Sequence, residues 1–218
     1  MNTTGNADTV YVTIRTTNGD SVLVIVIETS GSSGEFRGST SIYQGDSDIT
    51  NSRLEVLGND TIVVIYKDKI DYSGALNQTR ADTILLTEDG VVEFMDSVYQ
   101  SININSIIAG ETVYIRVTDG DLDVSSGNDT VVVSIISSSG DTESVVLTEY
   151  NTAHSRTFRG SIVTIYDDTI AVNGRLKVAR GDVITVTYAD ADNTNNSLNK
   201  YDSVTVAAGV EGILRITD

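Results

Sequence analysis

Apolar and polar residues alternate along much of this chain. Val10, Val12 and Ile14 are interleaved with Tyr11 and Thr13, and Val131, Val133 and Ile135 stand in the same way further on. A period of two puts one apolar face on a core and leaves the other wet. The β-branched residues Val, Ile and Thr dominate these runs, as a pleated, half-buried surface prefers. Between them lie turn-forming groups: Asn18-Gly19-Asp20, Gly31-Ser32-Ser33-Gly34, Gly58-Asn59-Asp60, Gly140-Asp141, Asn173-Gly174 and Gly181-Asp182. Such steps tolerate positive φ in tight hairpins. No stretch holds a 3.6-residue period. Short strands with a turn every ~8–12 residues predict an all-β sandwich.

The strand text is written twice. Asp8-Thr-Val-Tyr-Val-Thr-Ile14 matches Asp129-Thr-Val-Val-Val-Ser-Ile135, and Glu28 matches Glu149. Phe36-Arg37-Gly38-Ser39 returns as Phe158-Arg159-Gly160-Ser161, and Asp60-Thr-Ile-Val-Val-Ile-Tyr66 lies on Asp182-Val-Ile-Thr-Val-Thr-Tyr188. Asp68 falls on Asp190, and Asp82 on Asp202. A spacing this steady over the whole length marks a duplication. The expected organisation is two tandem immunoglobulin-like β-sandwich domains, residues 1–89 and 90–206, followed by a C-terminal strand at 207–218.

The two copies differ in how they open. Two strand-like runs, Gly90–Met95 and Glu111–Val117, precede the Asp-Thr-Val segment of the second copy, whereas only seven residues precede it in the first. The first domain is therefore expected to lack its opening strands. Gly212-Ile-Leu-Arg-Ile-Thr217 reads like Val91–Met95, the opening strand of a further unit. One explanation is a piece cut out of phase from a longer array. The other is that this strand fills the open sheet of another copy, giving head-to-tail filaments.

Composition narrows the function classes. Net charge is -17, from 31 acids and 14 bases. The acids are spread through both copies, which argues against nucleic acid as a partner and leaves carboxylates for hard cations. Cysteine is absent, which removes disulfides and thiol chemistry. The longest apolar run, Val22–Ile27, is far too short to span a membrane. The single histidine, His154, has no Ser or Asp arrangement around it in sequence and reads as a solvated loop residue; no enzyme activity is expected. Phe36 and Phe158 read as core anchors, with Arg37 and Arg159 paired to Glu28 and Glu149.

The run Tyr114-Ile-Arg-Val-Thr-Asp-Gly-Asp-Leu-Asp123, then Asp129-Thr-Val-Val-Val, Phe158-Arg-Gly-Ser161 and Gly181-Asp182-Val-Ile-Thr-Val-Thr-Tyr188-Ala-Asp190, resembles the immunoglobulin-like repeats of large archaeal and bacterial cell-surface proteins, of S-layer and adhesin type. The resemblance implies an extracellular location, tandem arrays and frequent calcium dependence.

One candidate metal site follows from the residues themselves. Asp119, Asp121 and Asp123 put three carboxylates at alternate positions after a strand, and Asp190 and Asp192 follow another strand that can end at the same pole. Calcium takes six to eight oxygens at ~2.3–2.6 Å, which such loops can supply. The expected function is a structural surface or filament subunit that pairs with itself in a homopolymer or lattice. The alternative is a spacer or carbohydrate-binding fragment of a longer adhesin.

Overall fold

The computed structural model describes residues 6–70, 73–100, 106–151, 154–166, 172–194 and 198–207. These contain strands and no helix. The chain divides into two compact units, Met1–Thr87 with Val124–Ser126, and Glu88–Asp123 with Gly127–Asp218. The C-terminal strand expected at 207–218 lies, but for Ala207, outside the described residues.

The first unit carries β1 (Thr9–Thr16), β2 (Ser21–Glu28), β3 (Phe36–Arg37), β4 (Ile42–Gln44), β5 (Leu54–Val56), β6 (Thr61–Ile70) and β7 (Leu76–Leu85). Its main sheet runs β3-β2-β1-β6-β7, with β4 and β5 as a separate parallel pair. The β1–β2 hairpin turns at Gly19, where φ is +100°, and pairs Val12 with Val24.

The second unit opens with β8 (Val91–Met95), β9 (Ser106–Ile107) and β10 (Thr112–Thr118). It then repeats the first with β11 (Thr130–Ser137), β12 (Thr142–Glu149), β13 (Thr157–Ile165), β14 (Arg175–Lys177), β15 (Val183–Ala189) and β16 (Asn199–Val206). The sheet order is β8-β10-β13-β12-β11-β15-β16-β9, with β14 on β13. It curls until β8 lies against β15 and β16, closing over one core. That core includes Phe94, Ile115 and Val117 from the opening strands and Val133, Leu147, Phe158, Ile184 and Val186 from the repeated ones.

β10 decides how β13 behaves. It pairs with β13 along its whole length, from Thr112 opposite Val163 to Thr118 opposite Thr157. In the first unit no described strand pairs in that place, and the counterpart of β13 is broken into β3 and β4, with residues 38–41 in no strand. A strand bonded along only one side gains less from staying extended. The repeated glycine has a local cause. A Cβ at Gly160 would come within 2.5 Å of Leu147 Cδ2 and 2.8 Å of Val146 O, and one at Gly38 within 2.6 Å of Ile25 O. The strand crosses its neighbour too closely for a side chain.

Candidate functional site

Two features stand out: a buried acidic pole in the second unit and an uncovered sheet in the first. The pole forms where the ends of β10 and β15 meet at the start of β8, which packs against both strands. Asp119, just past β10, is fully buried. Its Oδ1 accepts the Asp121 N–H at 2.9 Å, and its Oδ2 accepts the Tyr188 hydroxyl at 2.5 Å. Asp121 Oδ2 accepts the Glu88 N–H at 2.8 Å. Asp190, one residue past β15, accepts the Gly90 N–H at 2.9 Å, and Lys200 Nζ lies 3.6 Å from the same oxygen. Asp89 accepts the Thr194 N–H at 2.7 Å.

These carboxylates repel one another. Burial, followed by the charges of Asp119, Asp192, Asp190 and Asp89, raises the Asp121 pKa to about 7. Asp119 is also raised, by burial first, against the lowering effect of its bond from Tyr188. Burial and the same bond push the Tyr188 hydroxyl up, so it stays a donor. Asp89 is held below the usual range by the Thr194 N–H. On the same loop Asn193 donates to Asp190 O at 2.7 Å, while its buried Oδ1 has no hydrogen-bond partner. The pole thus gathers Asp89, Asp119, Asp121, Asp190, Asp192 and the Asn193 amide oxygen, with Lys200 beside Asp89 and Asp190. These candidate ligands are all oxygens, as a hard divalent cation prefers, but no three of the described carboxylates at the pole bring their oxygens within 4.8 Å of one another. Asp89 and Asn193 were not singled out from sequence. Only their position beside Asp190 in space reveals them.

Asp123 belongs to a second cluster. Among the described residues one group of three acidic, His or Cys side chains has ligand atoms within 4.8 Å of one another: Asp123, Asp129 and Glu149. His154 Nδ1 lies 2.8 Å from Asp123 Oδ1. The solvated histidine expected from sequence is instead mostly covered and bonded. Glu149 is already engaged, since its Oε1 accepts the Ser155 and Arg156 N–H groups at 2.6 and 3.2 Å, and its Oε2 accepts Asp129 N–H at 3.3 Å. That loop holds His154 and Arg156 at positive φ, which a carboxylate tie can maintain. Glu28 repeats the device in the first unit, accepting Gly34 N–H at 2.8 Å and Asp8 N–H at 3.2 Å.

The repeated acids are therefore mostly loop fasteners. Asp20 and Asp141 each accept a backbone N–H across the fold, from Glu55 and Lys177 respectively, both at 2.6 Å. Asp60 and Asp182 each tie down the turn just before themselves. The expected pairing of Arg37 and Arg159 with Glu28 and Glu149 does not form. Arg37 meets Glu35 at 2.7 Å, and Arg159 lies 3.5 Å from the ring centroid of Tyr150. Both glutamates are already spent on backbone N–H groups.

In the first unit the inner face of the sheet is open. Val10, Val12, Val24, Val26, Phe36 and Tyr66 line a groove of about 760 Å³. Their counterparts Val133, Val145, Leu147, Phe158 and Tyr188 are core residues of the second unit. Among the described residues no helix is long and apolar enough to cross a membrane. No family model matches the chain, and no curated protein matches it in sequence.

Proposed function

We infer that the chain is a structural subunit of an extracellular surface assembly, built from immunoglobulin-like modules that join head to tail by strand addition. The observation that carries this reading is the uncovered inner sheet of the first unit. An apolar sheet face with an unpaired strand edge is a template for an added strand, which contributes main-chain hydrogen bonds and side chains for the groove. Joining of unlike surfaces in this way propagates without closing. We place calcium at the acidic pole, where it would draw the repelling carboxylates together and stiffen the second unit, and among the described residues no side-chain arrangement suggests catalysis. Sedimentation and negative-stain microscopy of the whole chain across a concentration series test the reading. Fibres one subunit wide are expected above a threshold concentration. A chain that stays monomeric throughout, with its groove still accessible to a hydrophobic dye, overturns it. A spacer in a longer array gives that second result.

A further inference from the structure

We propose that the added strand is residues 209–218 of a second copy, and that it takes the place of β10, beside residues 35–41. This rests on the strand-addition reading above and assigns its donor, acceptor and register. In the second unit the strand beside the equivalent edge is β10, so the C-terminal segment is compared with β10 as well as with the opening strand. Against Gly90–Met95, Gly212–Thr217 shares one identical residue, the glycine. Against β10 and its flanks the match is closer. Ala208, Gly209, Arg215, Thr217 and Asp218 are identical to Ala109, Gly110, Arg116, Thr118 and Asp119, all at one offset of 99. Leu214 and Ile216 stand where Ile115 and Val117 stand.

Those two positions are the buried ones. Ile115 and Val117 are both fully buried and belong to the core that contains Phe158 and Leu147. Arg116 between them points outward to Glu93 at 2.6 Å. Leu214 and Ile216, flanking Arg215, keep this alternation. Carrying the β10–β13 register over to the first unit places Leu214 opposite Gly38 and Ile216 opposite Phe36, as Ile115 stands opposite Gly160 and Val117 opposite Phe158. Gly38 leaves the edge flat where the strand passes. Asp218 falls where Asp119 accepts the hydroxyl of Tyr188, and the first unit offers Tyr66 there, at the rim of the groove. Within the second unit the β10 place is already taken, so the segment cannot fold back onto its own unit in this way.

The test uses the whole chain and four variants. Leu214→Thr and Ile216→Thr, on the inward face, are expected to raise the threshold concentration for fibres about tenfold or more each, from the apolar area lost. Ile213→Thr, on the outward face, is expected to leave it nearly unchanged. Deletion of 209–218 is expected to abolish fibres. Fibres that survive the deletion overturn this assignment while leaving strand addition by another segment standing. Equal effects of Ile213→Thr and Leu214→Thr overturn the register. A wild-type chain that forms no fibres and exposes its groove overturns the broader reading instead. A wild-type monomer whose groove is covered until 209–218 is removed shows closure within one copy and overturns the choice of a second copy as donor.

Discussion

The two units share a strand plan and differ in one layer. In the second, β8 and β10 lie over the repeated strands. Val186, Val204 and Phe158 there are 0%, 2% and 0% exposed. Their counterparts Val64 and Ile84 are 36% and 64% exposed, and Phe36 is half-buried. At the opposite end the units agree: Leu54 and Leu176 are both fully buried. The sequence of the shared strands therefore does not itself make a closed core. It makes one half of a core, and the other half is a property of what precedes or joins it. A two-layer sandwich needs both faces, because a single sheet cannot bury its apolar side.

Hydrogen exchange gives the largest expected contrast. Amides within 160–163 sit in the β10–β13 ladder and should exchange on the order of a thousandfold more slowly than those of 38–41 in the monomer. In fibres the protection of 38–41 should rise toward that of 160–163. Equal protection of both stretches in dilute monomer would break the comparison, since it would mean that the first unit is already covered.

Core truncation sharpens the same contrast in energy. Phe158→Ala should destabilise the second unit by about 3–5 kcal/mol in urea denaturation, the usual cost for a fully buried aromatic side chain. Phe36→Ala, where the ring borders an open groove, should cost the first unit about 1–2 kcal/mol. The gap between them should narrow once strands are added. An equal cost in the free monomer would show that Phe36 is not at a half-open site.

Much of this was legible in the residues before any coordinates. The alternation in Val131–Ile135 gave β11 and its inward face, and the doubled Phe-Arg-Gly-Ser marked the strand that needs a glycine to cross its neighbour. What stayed hidden depends on proximity between distant segments. Asp89 and Asn193 look like ordinary loop residues until β8 and β15 place them beside Asp190. Asp123 reads as one of a series with Asp119 and Asp121, yet the loop turns it toward Asp129, Glu149 and His154. The repeated carboxylates suggested ion pairs, because sequence shows charges and not the backbone N–H groups that they satisfy.

The smallest contrast concerns charge, and it applies to the second unit alone. A carboxyl whose pKa is raised in the folded state holds a proton that the unfolded chain has lost. Between the ordinary Asp value of 3.8 and about 7, the range set by Asp121, the folded form binds more protons, so its stability falls as pH rises through that window. Above about 7 the full cost remains. In a chelator, the melting temperature of the second unit should therefore drop by a few degrees between pH 5 and pH 8, a size set by the usual sensitivity of domains this large. On the proposed calcium reading a divalent charge takes the place of those protons, so millimolar calcium should restore the lost stability at pH 8 and do little at pH 5. Asp121→Asn should flatten the pH dependence in chelator and weaken the calcium response together. The first unit has Asp68 in place of Asp190, half-buried where Asp190 is buried against β8, and should show neither effect. A melting temperature of the second unit that rises from pH 5 to pH 8 without calcium would mean that the carboxylates of the pole do not repel one another, and the case for a cation there would go with it.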